Sequence, residues 1–242
     1  MDYLQLVEAI SANSTALADA AEQAGLETAV LTCPGWSVAD LVSHIGTVQV
    51  WAATTVQQRV AERVSWDSLP EAPKGDDLVP WLRGTGAVLV AALTAADPAA
   101  PVWTFGADRT NSFWARRQAH EVGIHRWDVQ AAAGAPRAID TALAANGVDE
   151  LLGLAQMRGK LGAGNGETIH LHCTDVDEGG EWLIRLTPDG AEIERAHAKG
   201  DVAVRGTASD LDLFVWGRVP ASALEVFGDR ALLDRFQDAM RV

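Results

Sequence analysis

The stretch RRQAHEVGIHRWD, residues 116–128, decides how the first half of this chain is read. It reads as helical, and on a helix Glu121 and His125, four residues apart, share one face about a turn from each other. His120-Glu121 has the form of the opening of a zinc-protease helix, H-E-x-x-H, but the second histidine arrives one residue late. His120 and His125 are five apart and point away from each other, so the protease reading fails. The usable pair is Glu121 with His125. A catalytic zinc site commonly takes three protein ligands and keeps a fourth position open, so a third ligand has to come from another element.

His44, in LVSHIG, is the candidate. It follows Leu41 by three residues and precedes Val48 by four, which puts it on or beside the apolar face of its helix. A histidine facing a second helix that carries Glu and His inward is the arrangement of helix-bundle metal sites. The competing reading makes His44 a hydrogen-bonded core histidine and pairs Glu121 with Arg117 one turn away. Spacing leaves both open.

Working outward, the first part of the chain reads as four helices. Leu6, Ile10, Leu17 and Ala21 recur at helical spacing up to Gly25. Ser37 caps a second helix, with Asp40 three residues on as a capping-box partner and Leu41, Ile45, Val48, Ala52 and Val56 as its apolar face. A third runs from about Asp77 to Ala95, and Asn111 or Ser112 caps a fourth that reaches Ala133. Near residue 140 the texture changes. Asp140 to Leu161 is one more helix. Then ETIHLHCT, EWLIRLT, AEIERAHA and DVAVRGT alternate with period two as strands, before a return to helix in SDLDLFVWG and ALLDRFQDAM. The expectation is a four-helix bundle over residues 1–138 and a small α+β domain over 139–242.

The remaining chemistry-bearing residues read plainly. His170 and His172 share a strand face, as ligands, polar lining or a solvated face, with the solvated face preferred. His197 reads as exposed. Cys33 and Cys173 read as small packed residues without a cationic neighbour to activate them. Trp36, Trp51, Trp114 and Trp127 flank the candidate metal helices and can wall a pocket. The 242-residue chain carries a formal charge of −14 and no basic stripe, which argues against a nucleic-acid partner. The longest apolar runs fall short of a membrane span, and MDYLQLVEAI lacks the basic and apolar regions of a signal peptide. Two cysteines far apart suit a reduced, cytoplasmic protein.

Two of these stretches together carry a resemblance. CPGWSVADLVSHIG (33–46) and ARRQAHEVGIHRWD (115–128) resemble the signature segments of the mycothiol-dependent maleylpyruvate isomerase family. HLHCTD and SDLDLFVWGRVPASALEVFGD extend the likeness to the family's C-terminal domain. The resemblance implies a DinB-like bundle followed by a small sterol-carrier-like α+β domain. It also implies one zinc ion held by His44, Glu121 and His125, and mycothiol as a thiol cosubstrate. Arg218, in VWGRVP, matches a family arginine that meets an anionic substrate. The implied activity is cis–trans isomerisation of maleylpyruvate or thiol transfer by a monomeric enzyme acting on small acidic or electrophilic molecules. The alternatives are a metal-dependent hydrolase and a metal-binding module without thiol chemistry, for sensing or small-ligand binding.

Overall fold

The computed structural model describes residues 1–240, which form two compact units, Met1–Arg137 and Ala138 onward. The first is a bundle of α1 (Tyr3–Ala24), α2 (Val38–Gln58), α3 (Leu78–Ala95) and α4 (Asn111–Ala132). The packed pairs are α1 with α3 and α4, and α2 with α3 and α4. Helices α1 and α2 therefore stand diagonally across the bundle, and α2 and α4, the carriers of the candidate ligands, are neighbours.

The helix starts follow their side chains. Asp2 and Gln5 close a capping box on α1, and Ser37 and Asp40 close the one expected on α2. Helix α4 departs from expectation. Its N-cap is Thr110, because the Asn111 and Ser112 side chains donate instead to the carbonyls of Asp97 and Pro98. These bonds tie the start of α4 to the turn that ends α3.

Helix α4 is polar in composition yet central. Fifteen of its 22 residues are buried, Arg117, Gln118, His120, His125, Arg126 and Asp128 among them. Buried polar groups are costly unless bonded, and Arg126 shows how the cost is met. It donates to Asn13 of α1, to Gln130 and to the carbonyl of Arg137. Helix α3 with its preceding turn, Gly75–Ala95, is long and apolar enough to cross a membrane by length and composition, which corrects the expectation that no run reaches that length. Leu78, Leu82, Leu89 and Leu93 are nonetheless buried against the bundle, and Arg83 pairs outward with Asp19 and Glu22.

The second unit holds α5 (Thr141–Met157), β1 (Thr168–Cys173), β2 (Glu181–Thr187), β3 (Gly190–Glu194), β4 (Val202–Gly206), α6 (Ala208–Val215), β5 (Glu225–Gly228) and α7 (Arg230–Met240). The sheet order is β3-β2-β1-β4-β5, with β1 and β4 parallel and the other pairs antiparallel. Strand β5 is an addition to the expected four, too short and exposed to alternate visibly. Helix α5 starts one residue later than read, with Asp140 as its cap, and ends at Met157 rather than Leu161. Strand β3 stops at Glu194, so Arg195, Ala196 and His197 leave the ladder for a loop.

Candidate metal centre

A turn, two helices and their phase build the site. In Cys33-Pro34-Gly35-Trp36 the Trp36 amide donates to the Cys33 carbonyl. Gly35 takes φ +84°, the left-handed position that a turn with proline before it requires. This turn delivers Thr32, Cys33 and Trp36 beside α4. Trp36 lies over His44 and His125, with ring centroids 5.0 and 6.2 Å away.

His44, Glu121 and His125 converge. His44 Nε2 is 3.1 Å from Glu121 Oε1, and His125 Nε2 is 3.7 Å from the same oxygen. One donor atom from each of the three lies within 4.8 Å of the others. The other Glu121 oxygen accepts a 3.0 Å bond from Arg117. The two readings left open by spacing thus coexist: Arg117 holds one oxygen of Glu121 while the other faces the two imidazoles. Burial by itself raises the Glu121 carboxyl pKa, but the hydrogen bond from His44 and the charges of Arg117, His125 and His44 outweigh it. The carboxyl is held well below the usual carboxylate range.

Behind His125 stands Asp128, fully buried, its Oδ2 2.9 Å from His125 Nδ1 though not aligned as a linear hydrogen bond. Thr32 donates to Asp128 Oδ1 at 2.6 Å, and the Cys33 thiol reaches Oδ2 at 3.6 Å. Cys33, His125 and Asp128 also converge closely enough to hold an ion. Asp128, however, is already engaged from three sides. Its position suits a carboxylate that orients His125 and leaves Nε2 to the ligand set. Asp128→Asn is therefore expected to weaken metal affinity by about tenfold while the bundle stays folded, as competition with a chelator would measure. Unchanged affinity would reduce Asp128 to a structural carboxylate.

The donor set fits a divalent transition ion. It offers two imidazole nitrogens and one carboxylate oxygen, with a backing carboxylate on one histidine, and leaves room for a further ligand. His44 also lines a cleft of about 500 Å³ with Gly35, Trp36, Asp40, Ser43, Thr47 and Trp66. Of the tryptophans expected to wall a pocket, Trp36 does so. Trp51 and Trp114 instead join Trp66, Trp103, Phe105 and Phe113 in an aromatic cluster, and Trp127 is half-buried. His120 is buried.

Arg218 belongs to the second unit, just past α6, where its guanidinium donates to the Trp216 carbonyl and lies 5.8 Å from the centre of the Trp216 ring. Cys173 is buried. Burial, with Asp175, Asp212 and Glu181 nearby, pushes its thiol up to about 12, so it is no nucleophile.

The chain is thus a helical bundle in which two histidines and one glutamate converge, followed by a small α+β domain. Residues 7–130 match the mycothiol maleylpyruvate isomerase N-terminal domain family, and residues 142–235 match the MDMPI C-terminal domain family. The chain belongs to the mycothiol maleylpyruvate isomerase family, a family of enzymes. Two crystal structures share its fold: that of the mycothiol-dependent maleylpyruvate isomerase and that of a histidine-to-alanine mutant of it. Each has a TM-score of 0.68 and 15% identity, and the match covers 93% of both chains. Among curated proteins no sequence matches.

Proposed function

We propose that the chain is a zinc-dependent enzyme that uses a low-molecular-weight thiol, mycothiol, to isomerise maleylpyruvate or to transfer the thiol to a related electrophile. The convergence of His44 Nε2, Glu121 Oε1 and His125 Nε2 beside an open cleft carries this reading. When bound there, the ion supplies the positive charge that turns an incoming thiol into a thiolate at neutral pH. The rest of the work falls to the chain and the cosubstrate. Arg117 and Asp128 hold Glu121 and His125 in place, and Trp36 covers the two histidines.

In the isomerase reaction the thiolate sulfur adds to the activated cis double bond. Rotation about the resulting single bond and loss of the same sulfur give the trans product, with the thiol regenerated. In a transferase the sulfur stays attached. Hydrolysis is less well supported, because it needs a general base at the open position. His120 is buried, and Asp128 is engaged by Thr32, Cys33 and His125. We place the enzyme in the cytoplasm as a monomer, with no nucleic-acid or membrane partner, in keeping with its acidic, cysteine-poor sequence.

Thiol-dependent turnover of maleylpyruvate, compared between metal-loaded and chelated protein, tests the proposal. Turnover indifferent to both metal and thiol would overturn it. We further propose that Arg218 pairs with a substrate carboxylate through two parallel hydrogen bonds, a geometry that lysine cannot reproduce. Arg218→Lys is expected to raise KM for the acidic substrate about tenfold, the loss of one such bond, with thiol binding unchanged. Steady-state kinetics with each reactant varied in turn would check this.

A further inference from the structure

The second unit carries a histidine cluster that the bundle chemistry does not use. His170 and His172, two apart on β1, lie on one face. In the antiparallel register His172 stands directly opposite Glu181 of β2, and His170 is its diagonal neighbour. His170 Nε2 is 2.8 Å from Glu181 Oε2. His197, from the loop between β3 and β4, brings Nδ1 to 2.7 Å from the same oxygen and 3.0 Å from Oε1. His172 Nδ1 is 3.7 Å from Oε2.

This cluster corrects the reading of a solvated strand face, while His197 is exposed as read. His170 is buried, and His197, although its side chain is 81% exposed, is tied to Glu181. The loop carrying His197 is fixed at both ends. Arg195 Nε donates to Asp149 at 2.9 Å, and Asp201 accepts from both the amide and the hydroxyl of Thr168 on β1. A Cβ at Gly200 would meet the Val202 carbonyl at 2.7 Å and the His170 amide nitrogen at 3.0 Å. Only glycine lets the loop lie this close over β1.

One carboxylate charge balances one imidazolium, not three. Neutral imidazoles gathered on a single carboxylate are instead the donor set of a divalent transition ion. We propose that His170, Glu181 and His197 form a second metal site, for an ion of the Zn²⁺ class, with His172 beside it as a fourth ligand. The donor atoms of the first three all lie within 4.8 Å of one another. Around a tetrahedral ion with bonds of about 2.1 Å, ligand atoms stand about 3.4 Å apart. The 2.8 and 2.7 Å contacts of His170 and His197 to Glu181 therefore need to open by about 0.6–0.7 Å. The ion clips the loop to the sheet and, on this half-exposed face, exchanges with solvent.

Titration of the chelator-stripped full chain with Zn²⁺, followed by calorimetry, tests this. Glu181→Gln and His197→Ala are each expected to remove one equivalent or weaken it at least tenfold. The His44→Ala, Glu121→Gln protein should keep that equivalent. His197 is exposed, so its replacement leaves the fold intact and decides the matter alone if Glu181→Gln misfolds. If His197→Ala binds Zn²⁺ with the wild-type number of sites and affinities, the proposal is overturned, whatever the bundle binds.

Discussion

Protein carrying His44→Ala together with Glu121→Gln is expected to lose the metal equivalent held by the bundle, and with it at least about a hundredfold of thiol-dependent turnover. Two of the three proposed ligands go at once, and one imidazole does not retain an ion against water and chelators. The fold should survive. His44 is part-exposed, and glutamine keeps an oxygen for Arg117, whose side chain is 6% exposed. Removing the carboxylate outright would take a charged acceptor away from that buried guanidinium. Elemental analysis of protein purified without chelator, beside the rate at saturating thiol, is the measurement. Metal content equal to wild type would overturn the assignment of His44 and Glu121 as ligands.

The closeness of the first candidate pair was legible because helical phase is local. Glu121 and His125 share a face whatever surrounds them, and the same arithmetic brought Asp128 to His125. His44 was legible only as a candidate, since its meeting with Glu121 depends on α2 and α4 being neighbours in the bundle. Thr32 and Cys33 were not legible as partners of Asp128, because 96 and 95 residues separate them and a turn has to fold first.

The burial of α4 was hidden for a different reason. A polar composition predicts a solvated face, whereas here the polar groups satisfy one another inside, as Arg126 does with Asn13 and Gln130. The second histidine cluster needed both a strand register and the course of the β3–β4 loop. Alternation put His170 and His172 on one face, but nothing local places Glu181 or His197 there. Strand β5, four residues long, lacked the length to show a period.

Trp114→Ala should be the most destabilising single change in the bundle, by about 3–5 kcal/mol. The ring has no exposure. It packs edge-on against Trp51 of α2 at 5.0 Å, Phe113 at 5.5 Å and Phe105 at 5.9 Å, and lies 6.1 Å from Trp103. Its indole nitrogen also donates to the Trp103 carbonyl at 2.8 Å. Alanine leaves a cavity between α2, α4 and the segment that precedes α4, and strands that carbonyl. Trp114→Phe keeps most of the ring contacts and loses the donor, so its cost should be nearer 1–2 kcal/mol, that of one orphaned acceptor. Unfolding of a two-unit chain is not one transition, so hydrogen exchange along α4 is the appropriate readout. Exchange should quicken from the Trp114 end. His125 lies eleven residues further on, about 16 Å along the helix axis, and is braced there by Asp128 and Trp36. Metal affinity of the folded Trp114→Phe protein should therefore match wild type. A matched loss of affinity and exchange protection in that variant would mean that the aromatic cluster and the metal centre unfold as one unit.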